Sequence, residues 1–271
     1  MTRVAVGREN GHAISIAFED HGAGRPVVLI AGFPLDRDSW ERQVRVLSAA
    51  GHRVICYDRR GFGASSRPET GYDFDTLAAD LNALMEHLDL RDVALIGLST
   101  GAGEVARYLG LYGSARVGRV VMLASPLPYL RRTQGNPGGV DPAVFDRARA
   151  AIDVDRHSYL QHFLDNAFGD RIGEQVRRAA FTVAAAASPH ATAGCVGIWL
   201  TDFRADLPKI DVPTLVIHGT EDRILPFAAT AQRLPALIHD VRLVPVVGGP
   251  HHIAMAYPEV VNPELVQFCR G

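Results

Sequence analysis

The sequence predicts an α/β protein: a mostly parallel central sheet flanked by helices, with a helical cap inserted before the last two strands. Three observations carry this. Short apolar runs rich in β-branched residues alternate with helical patterns up to Ser125. The alternation stops from Pro126 to Ile210 and then resumes with two further runs. Several runs are apolar without a break, as strands are when helices cover both faces of a parallel sheet.

In chain order the strand runs are AISIAFED, PVVLIAG, RVICYD, VALIGL, RVVMLAS, PTLVIHG and VRLVPVV. Leu77, Leu81, Leu84, Met85 and Leu88 recur at helical spacing and make one amphipathic helix. Val105, Leu109 and Tyr112 make another directly after VALIGL. The stretch without strands holds four helix-like segments: PAVFDRARAAI, SYLQHFLDNAF, EQVRRAAFTVAAAA and ATAGCVGIWL. Turn formers punctuate them, notably TQGNPGG and SPH. A helical insertion of this kind reads as a lid. Residues 1–125 and 211–271 are therefore expected to form the core and 126–210 the cap, in one folding unit.

Composition narrows the function classes. Apolar residues make up 47% and charged residues 21%, as in an ordinary globular protein. The 28 Lys and Arg against 30 Asp and Glu leave a net charge of −2, so there is no basic surface for a phosphate backbone and no nucleic-acid partner is expected. No run approaches the ~20 apolar residues of a spanning helix, and MTRVAVGREN lacks the apolar stretch of a signal peptide. Cys56, Cys195 and Cys269 form no C-x-x-C. A cytoplasmic protein acting on a small molecule, with no membrane partner, is the expectation.

The chemistry starts at Gly97-Leu98-Ser99-Thr100-Gly101, a G-x-S-x-G between a predicted strand and a predicted helix. A serine on such a sharp turn needs small residues two before and two after it, and the helix N-terminus beneath favours developing negative charge. Ser99 is the candidate nucleophile. A hydroxyl needs a base to take its proton and an acid to orient that base. In this strand–turn–helix context the chain order is Ser, then Asp or Glu, then His. After PTLVIHG both Glu221 and Asp222 qualify, with Asp211 and Asp240 as outside candidates. After VRLVPVV the loop GGPHH offers His251 and His252. His218, inside a strand, reads as structural, and His157, His162 and His190 belong to the cap. The His pair lacks any H-E-x-x-H or comparable cluster, so no metal is expected. An oxyanion hole requires two backbone N–H groups; Thr100, after the nucleophile, and Phe33, after Gly32, are the candidates.

With these residues in view, the chain resembles the α/β-hydrolase superfamily, and within it the cofactor-free haloperoxidase/aryl esterase/perhydrolase family. The resemblance runs from about Gly11 to Phe268 and rests on AGFPLDRDSWERQ, YDRRGFGASSRPETGYDFDTLAADL, GLSTGAGEVARYL, TDFRADLPKIDVPTLVIHGTED and GGPHH. It implies Ser99 as nucleophile, Asp222 as acid and His251 as base, with oxyanion donors at Phe33 and Thr100. It implies no cofactor, a small acyl substrate, and a homo-oligomer, either a trimer or a hexamer. Thr100 stands where many relatives have Met, and His252 where Gly is usual. The YDRRGFGASS turn, held by Asp58 and Arg60, is expected to be structural.

The function expected is a serine hydrolase of carboxylic esters, with perhydrolase and haloperoxidase chemistry as a side activity. The same triad also serves thioesterases or cyclases, lactonases, C–C hydrolases and hydroxynitrile lyases. A non-catalytic binder would show a damaged triad, and this one is whole. Leu127, Leu130, Phe163, Phe168 and Trp199 of the cap, with Ile224 and Leu225 beside Asp222, are expected to form an apolar pocket wall. Small or medium, uncharged aryl or alkyl esters are the expected substrates.

Overall fold

The computed structural model describes residues 2–271, and its sheet has eight strands. They are β1 (Thr2–Glu9), β2 (His12–His21), β3 (Arg25–Ile30), β4 (His52–Tyr57), β5 (Val93–Leu98), β6 (Val117–Leu123), β7 (Thr214–Gly219) and β8 (Val241–Val246). Their order across the sheet is β1-β2-β4-β3-β5-β6-β7-β8. The β1–β2 and β2–β4 pairs are antiparallel, and every other pair is parallel. The seven runs read from sequence correspond to β2 to β8. The first strand is an addition: it pairs only with β2 at the sheet edge and buries only Val4, so its sequence carries little strand signal.

The helices are α1 (Glu41–Ala49), α2 (Phe74–His87), α3 (Thr100–Tyr112), α4 (Pro142–Phe168), α5 (Glu174–Ala186), α6 (Pro189–Gly197), the single turn α7 (Ile253–Ala256) and α8 (Pro258–Arg270). Leu77, Leu81, Leu84 and Met85 of α2 and Val105 and Leu109 of α3 pack on one face of the sheet. Asp73 caps α2 by accepting from Thr76 N at 2.8 Å. Tyr112 departs from the expected buried face: it is 43% exposed and stacks on Tyr108. On the other sheet face, Leu47 of α1 and Val261, Leu265 and Cys269 of α8 bury Val27, Leu29, Val54 and Ile96. Both faces are covered, which is why β5 can be buried along its whole length.

Because β4 and β5 lie on opposite sides of β3, the strand order reverses there. In open α/β sheets the crevice at the carboxyl ends of strands flanking such a point is where ligands sit. The loops after β3, β5, β7 and β8 all emerge at this edge.

The cap rises over that edge. The first two helix-like segments of the cap join in one 27-residue element, α4, which breaks at Asp155 (φ −153°, ψ 91°). The Asp155 carboxylate accepts from Ser158 N at 3.0 Å and from Ser158 Oγ at 2.6 Å, so it caps the second half as a new helix start. The YDRRGFGASS turn is held by two separate pairs. Asp58 accepts from Arg37 N and Ala64 N, whereas Arg60 forks onto Asp80 of α2 at 2.6 and 2.7 Å. Among the described residues no single helix is long and apolar enough to cross a membrane; α5 with the segment Pro189–Leu200 passes only as a pair, bent by 96°.

Candidate active site

Ser99 sits between β5 and α3 with φ 54° and ψ −116°, a conformation that costs a non-glycine residue of order 1–3 kcal/mol. Its neighbours show why the turn can be this tight. A Cβ on Gly97 would lie 2.4 Å from the Gly101 carbonyl carbon, and one on Gly101 would lie 2.4 Å from Ile30 O. Any larger residue at either place would push the turn off the sheet. Ser99 N is anchored to Leu123 O at 2.8 Å.

Three loops then bring a chain of hydrogen bonds together. Ser99 Oγ lies 2.9 Å from His251 Nε2, and His251 Nδ1 lies 2.8 Å from Asp222 Oδ2. Ile224 N and Leu225 N each donate to Asp222 Oδ1 at 2.8 Å. His251 Nδ1 therefore carries its proton toward the carboxylate and leaves Nε2 free to accept from Ser99. Burial by itself would raise the Asp222 carboxyl. The charge that His251 can carry, with its hydrogen bond and the close His218 imidazole, outweighs burial and holds it well below the usual carboxylate range.

Of the residues left open by sequence, Glu221, Asp211 and Asp240 are exposed and make no contact with His251. His252 is fully buried with no hydrogen-bond partner on its ring. Burial, then the neighbouring His251, pushes its imidazole down to about 3, so it stays neutral. Its ring lies 4.9 Å from that of Phe168, and its backbone N–H donates to Ala167 O at 2.9 Å, which ties the loop to the cap. His218, read as structural, in fact touches the acid: its Nε2 is 3.1 Å from Asp222 Oδ2. Its signal in the sequence was its place four residues before Asp222, at the end of the same strand.

Phe33 and Thr100 are buried, and neither backbone N–H has a protein acceptor among the described residues. They flank Ser99: a Cβ on Gly32, which precedes Phe33, would lie 3.2 Å from Ser99 Cβ. Two unpaired N–H groups beside a serine Oγ are the arrangement that a developing oxyanion needs.

Ser99 and Thr100 form the floor of a cavity of about 500 Å³. Leu130, Phe163, Trp199, Ile224 and Leu225 line it. The Trp199 ring stacks on Phe163 at 5.7 Å and meets Phe33 edge-on at 5.3 Å, so Phe33 backs the wall from behind. Leu127 and Phe168 do not line it. Leu127 turns inward into the core under the sheet edge while Pro126 and Leu130 face the cavity. Phe168 lies five residues after Phe163, about 140° around the helix, and packs beneath the cap against His252. The lining that sequence reasoning missed comes mostly from α4: Val144, Arg147, Ala148 and Ala151 before the break, Tyr159 and Asn166 after it, beside the cap residue His162. Arg147 and Arg223 are exposed at the rim, and among the described residues no Asp or Glu lines the cavity.

Among the described residues, the one group of three His, Cys or carboxylate side chains with ligand atoms within 4.8 Å is Glu19, His21 and Cys56. It shares no residue with the Ser99 cavity. Glu19 there is engaged by Arg37 at 3.2 Å.

Comparison with known proteins agrees with this geometry. Residues 25–256 match the family described as alpha/beta hydrolase fold. A Synechocystis protein is 54% identical over 274 residues, covering 99% of each chain, and a non-heme chloroperoxidase from Kitasatospora aureofaciens is 38% identical over 263 residues, covering 94% of this chain and 96% of that one. The crystal structure of a bromoperoxidase from Bacillus anthracis superposes with a TM-score of 0.96 at 39% identity, covering 100% of this chain and 99% of that one. An esterase from Exiguobacterium antarcticum superposes with a TM-score of 0.94 at 30% identity, with the same coverage. The strand order, the serine elbow and these relatives lead to one assignment: the chain is an α/β-hydrolase enzyme and belongs to the family of non-heme haloperoxidases and esterases.

Proposed function

We propose that the enzyme hydrolyses carboxylic esters of small or medium size through an acyl-enzyme on Ser99. The observation that carries this reading is the unbroken path Ser99 Oγ–His251 Nε2, His251 Nδ1–Asp222 Oδ2 at the floor of an apolar cavity. His251 Nε2 takes the Ser99 proton as Oγ attacks the ester carbonyl. The tetrahedral oxyanion is held by the Phe33 and Thr100 N–H groups, each worth roughly 3 kcal/mol of barrier. His251 then gives its proton to the departing alcohol. Water repeats the sequence on the acyl-enzyme and releases the acid.

Hydrogen peroxide in place of that water would release a peracid, which oxidises halide; the names of the relatives support this as a side activity. The cavity suits an apolar acyl or alkyl body at Ser99. Its rim departs from the expected uncharged substrate, because Arg147 and Arg223 stand there with no lining carboxylate. A distal carboxylate is therefore favoured over a distal cation.

A panel of p-nitrophenyl esters tests the reading, with acetate to octanoate as neutral members and the hemi-esters of dicarboxylic acids as anionic ones. A parallel arm supplies free acid and peroxide. Hydrolysis of C2 to C8 members is expected, with hemi-esters about fivefold better than neutral esters of equal length at low salt, the scale of an exposed ion pair. No turnover of any member would overturn it.

A further inference from the structure

The geometry points to His218 as a positioning residue that shares the Asp222 carboxylate with His251 and so sets how strongly that carboxylate holds the base. His218 is the fifth residue of β7 and has no exposed surface. Its Nε2 faces two acceptors, Leu225 O at 2.9 Å and Asp222 Oδ2 at 3.1 Å. The proton is therefore on Nε2 and is donated to Leu225 O, with Asp222 Oδ2 beside it in close electrostatic contact. Nδ1 has no partner, so a proton there would be buried and unsatisfied.

These contacts close a ring. Leu225 donates its N–H to Asp222 Oδ1 and accepts from His218 through its carbonyl, while His218 Nε2 lies 3.1 Å from Asp222 Oδ2. The imidazole thus clips both the carboxylate and the loop that grips its other oxygen. Oδ2 is also the oxygen that takes the Nδ1–H of His251, so the positive end of the His218 N–H dipole lies 3.1 Å from the atom that holds the base. Without His218, the full charge of Oδ2 would turn to His251 and its protonated form would be held better. The carboxylate would also lose a restraint on its rotation.

This inference rests on the hydrolase reading of Ser99, His251 and Asp222. Among the described residues, the groups in contact with His251 are Asp222 from the β7 loop, Ser99 from the elbow, His252 beside it and the uncharged ring of Phe163 from the cap, and Tyr159, His162 and Arg223 line the same cavity. His252 stays neutral far below any working pH, so it does not produce a shift of its own.

The test compares wild type with His218→Phe, which removes the donor, and His218→Gln, which keeps an N–H at about the same reach. For His218→Phe, kcat should fall about tenfold, and the acid limb of kcat/KM should move up by about half to one pH unit. KM should hold within about twofold, because His218 does not line the cavity. Gln should restore the wild-type limb. An unmoved limb in a folded Phe variant, or a Gln variant indistinguishable from Phe, overturns the proposal. A wild type with no ester turnover would instead refute the hydrolase reading, a separate result. ¹⁵N chemical shifts of the wild-type histidines give a second way to overturn it that does not need the Phe variant to fold: an Nδ1–H tautomer of His218 contradicts the proposal.

Discussion

The loops at the sheet edge and the cap above them meet over Ser99 but are held by different forces. In the loops each reacting side chain is fixed by directional bonds and close backbone contact. Ser99 is pinned to Leu123 O, and both oxygens of Asp222 accept hydrogen bonds at 2.8 Å. In the cap the cavity face is held by ring packing, with Phe163, Trp199 and Phe145 stacked or edge-on at 5.7 to 6.3 Å. Directional bonds permit one geometry, so a change there destroys the arrangement. Ring contacts tolerate exchange of similar volumes. On the proposed function, the same chemistry can therefore be kept while the cap is altered, with the loops as the seat of reaction and the cap as the seat of selectivity.

The sharpest way to break this division is to substitute adjacent residues in the loops. Asp222→Asn should lower kcat by about 10⁴ and His251→Ala by at least as much, as in other serine triads. Glu221→Gln and His252→Ala, one position away, should keep most activity. Steady-state kinetics on a neutral p-nitrophenyl ester read the difference; an essential Glu221 or His252 would mean that the hydrogen bonds to Asp222 and His251 are not the working ones.

A smaller effect is expected in the cap. Trp199→Ala and Phe163→Ala should shift the preferred acyl length, with each methylene changing kcat/KM by ~10- to 200-fold at most. The rate at which Ser99 reacts with a small phosphonate should change little. A chain-length profile unmoved by either substitution would return selectivity to Thr100 and the loops, and the division would collapse.

The sequence made the loops legible and left the cap largely hidden, for the same physical reason. Ser99 announces itself because the tight turn demands Gly97 and Gly101 at fixed spacing. His251 and Asp222 follow from strand order and from the family's motif. Which face a cap helix presents depends on where the helix begins, and α4 restarts at Asp155. Tyr159, His162, Phe163 and Asn166 share one face counted from that restart, whereas Phe168 falls outside it. Leu127 was misplaced because a loop residue next to Pro126 can turn either way. The edge strand β1 and the charged helix α1 were missed because they bury few residues.

A last contrast concerns stability, not turnover. Behind the elbow, Glu104 of α3 is fully buried and accepts from the Tyr57 hydroxyl. Burial pushes its carboxyl up to about 8 from about 4.5, despite the opposing charge of Arg59. The folded state thus binds this proton more tightly than the unfolded chain. Its stabilisation is complete below about 4.5 and is lost as pH rises to about 8. Glu104→Gln should flatten the fall in Tm between pH 5 and 8, as followed by circular dichroism. An unchanged fall would show that Glu104 is ionised throughout that window.

The central claim, that Ser99 is the activated nucleophile, is tested most directly by a fluorophosphonate probe and mass spectrometry. One covalent label per chain is predicted, on the peptide that carries GLSTG. Ser99→Ala should abolish the label and lower kcat by ~10⁶. A label on any other residue, or none on folded wild-type protein, would contradict the account.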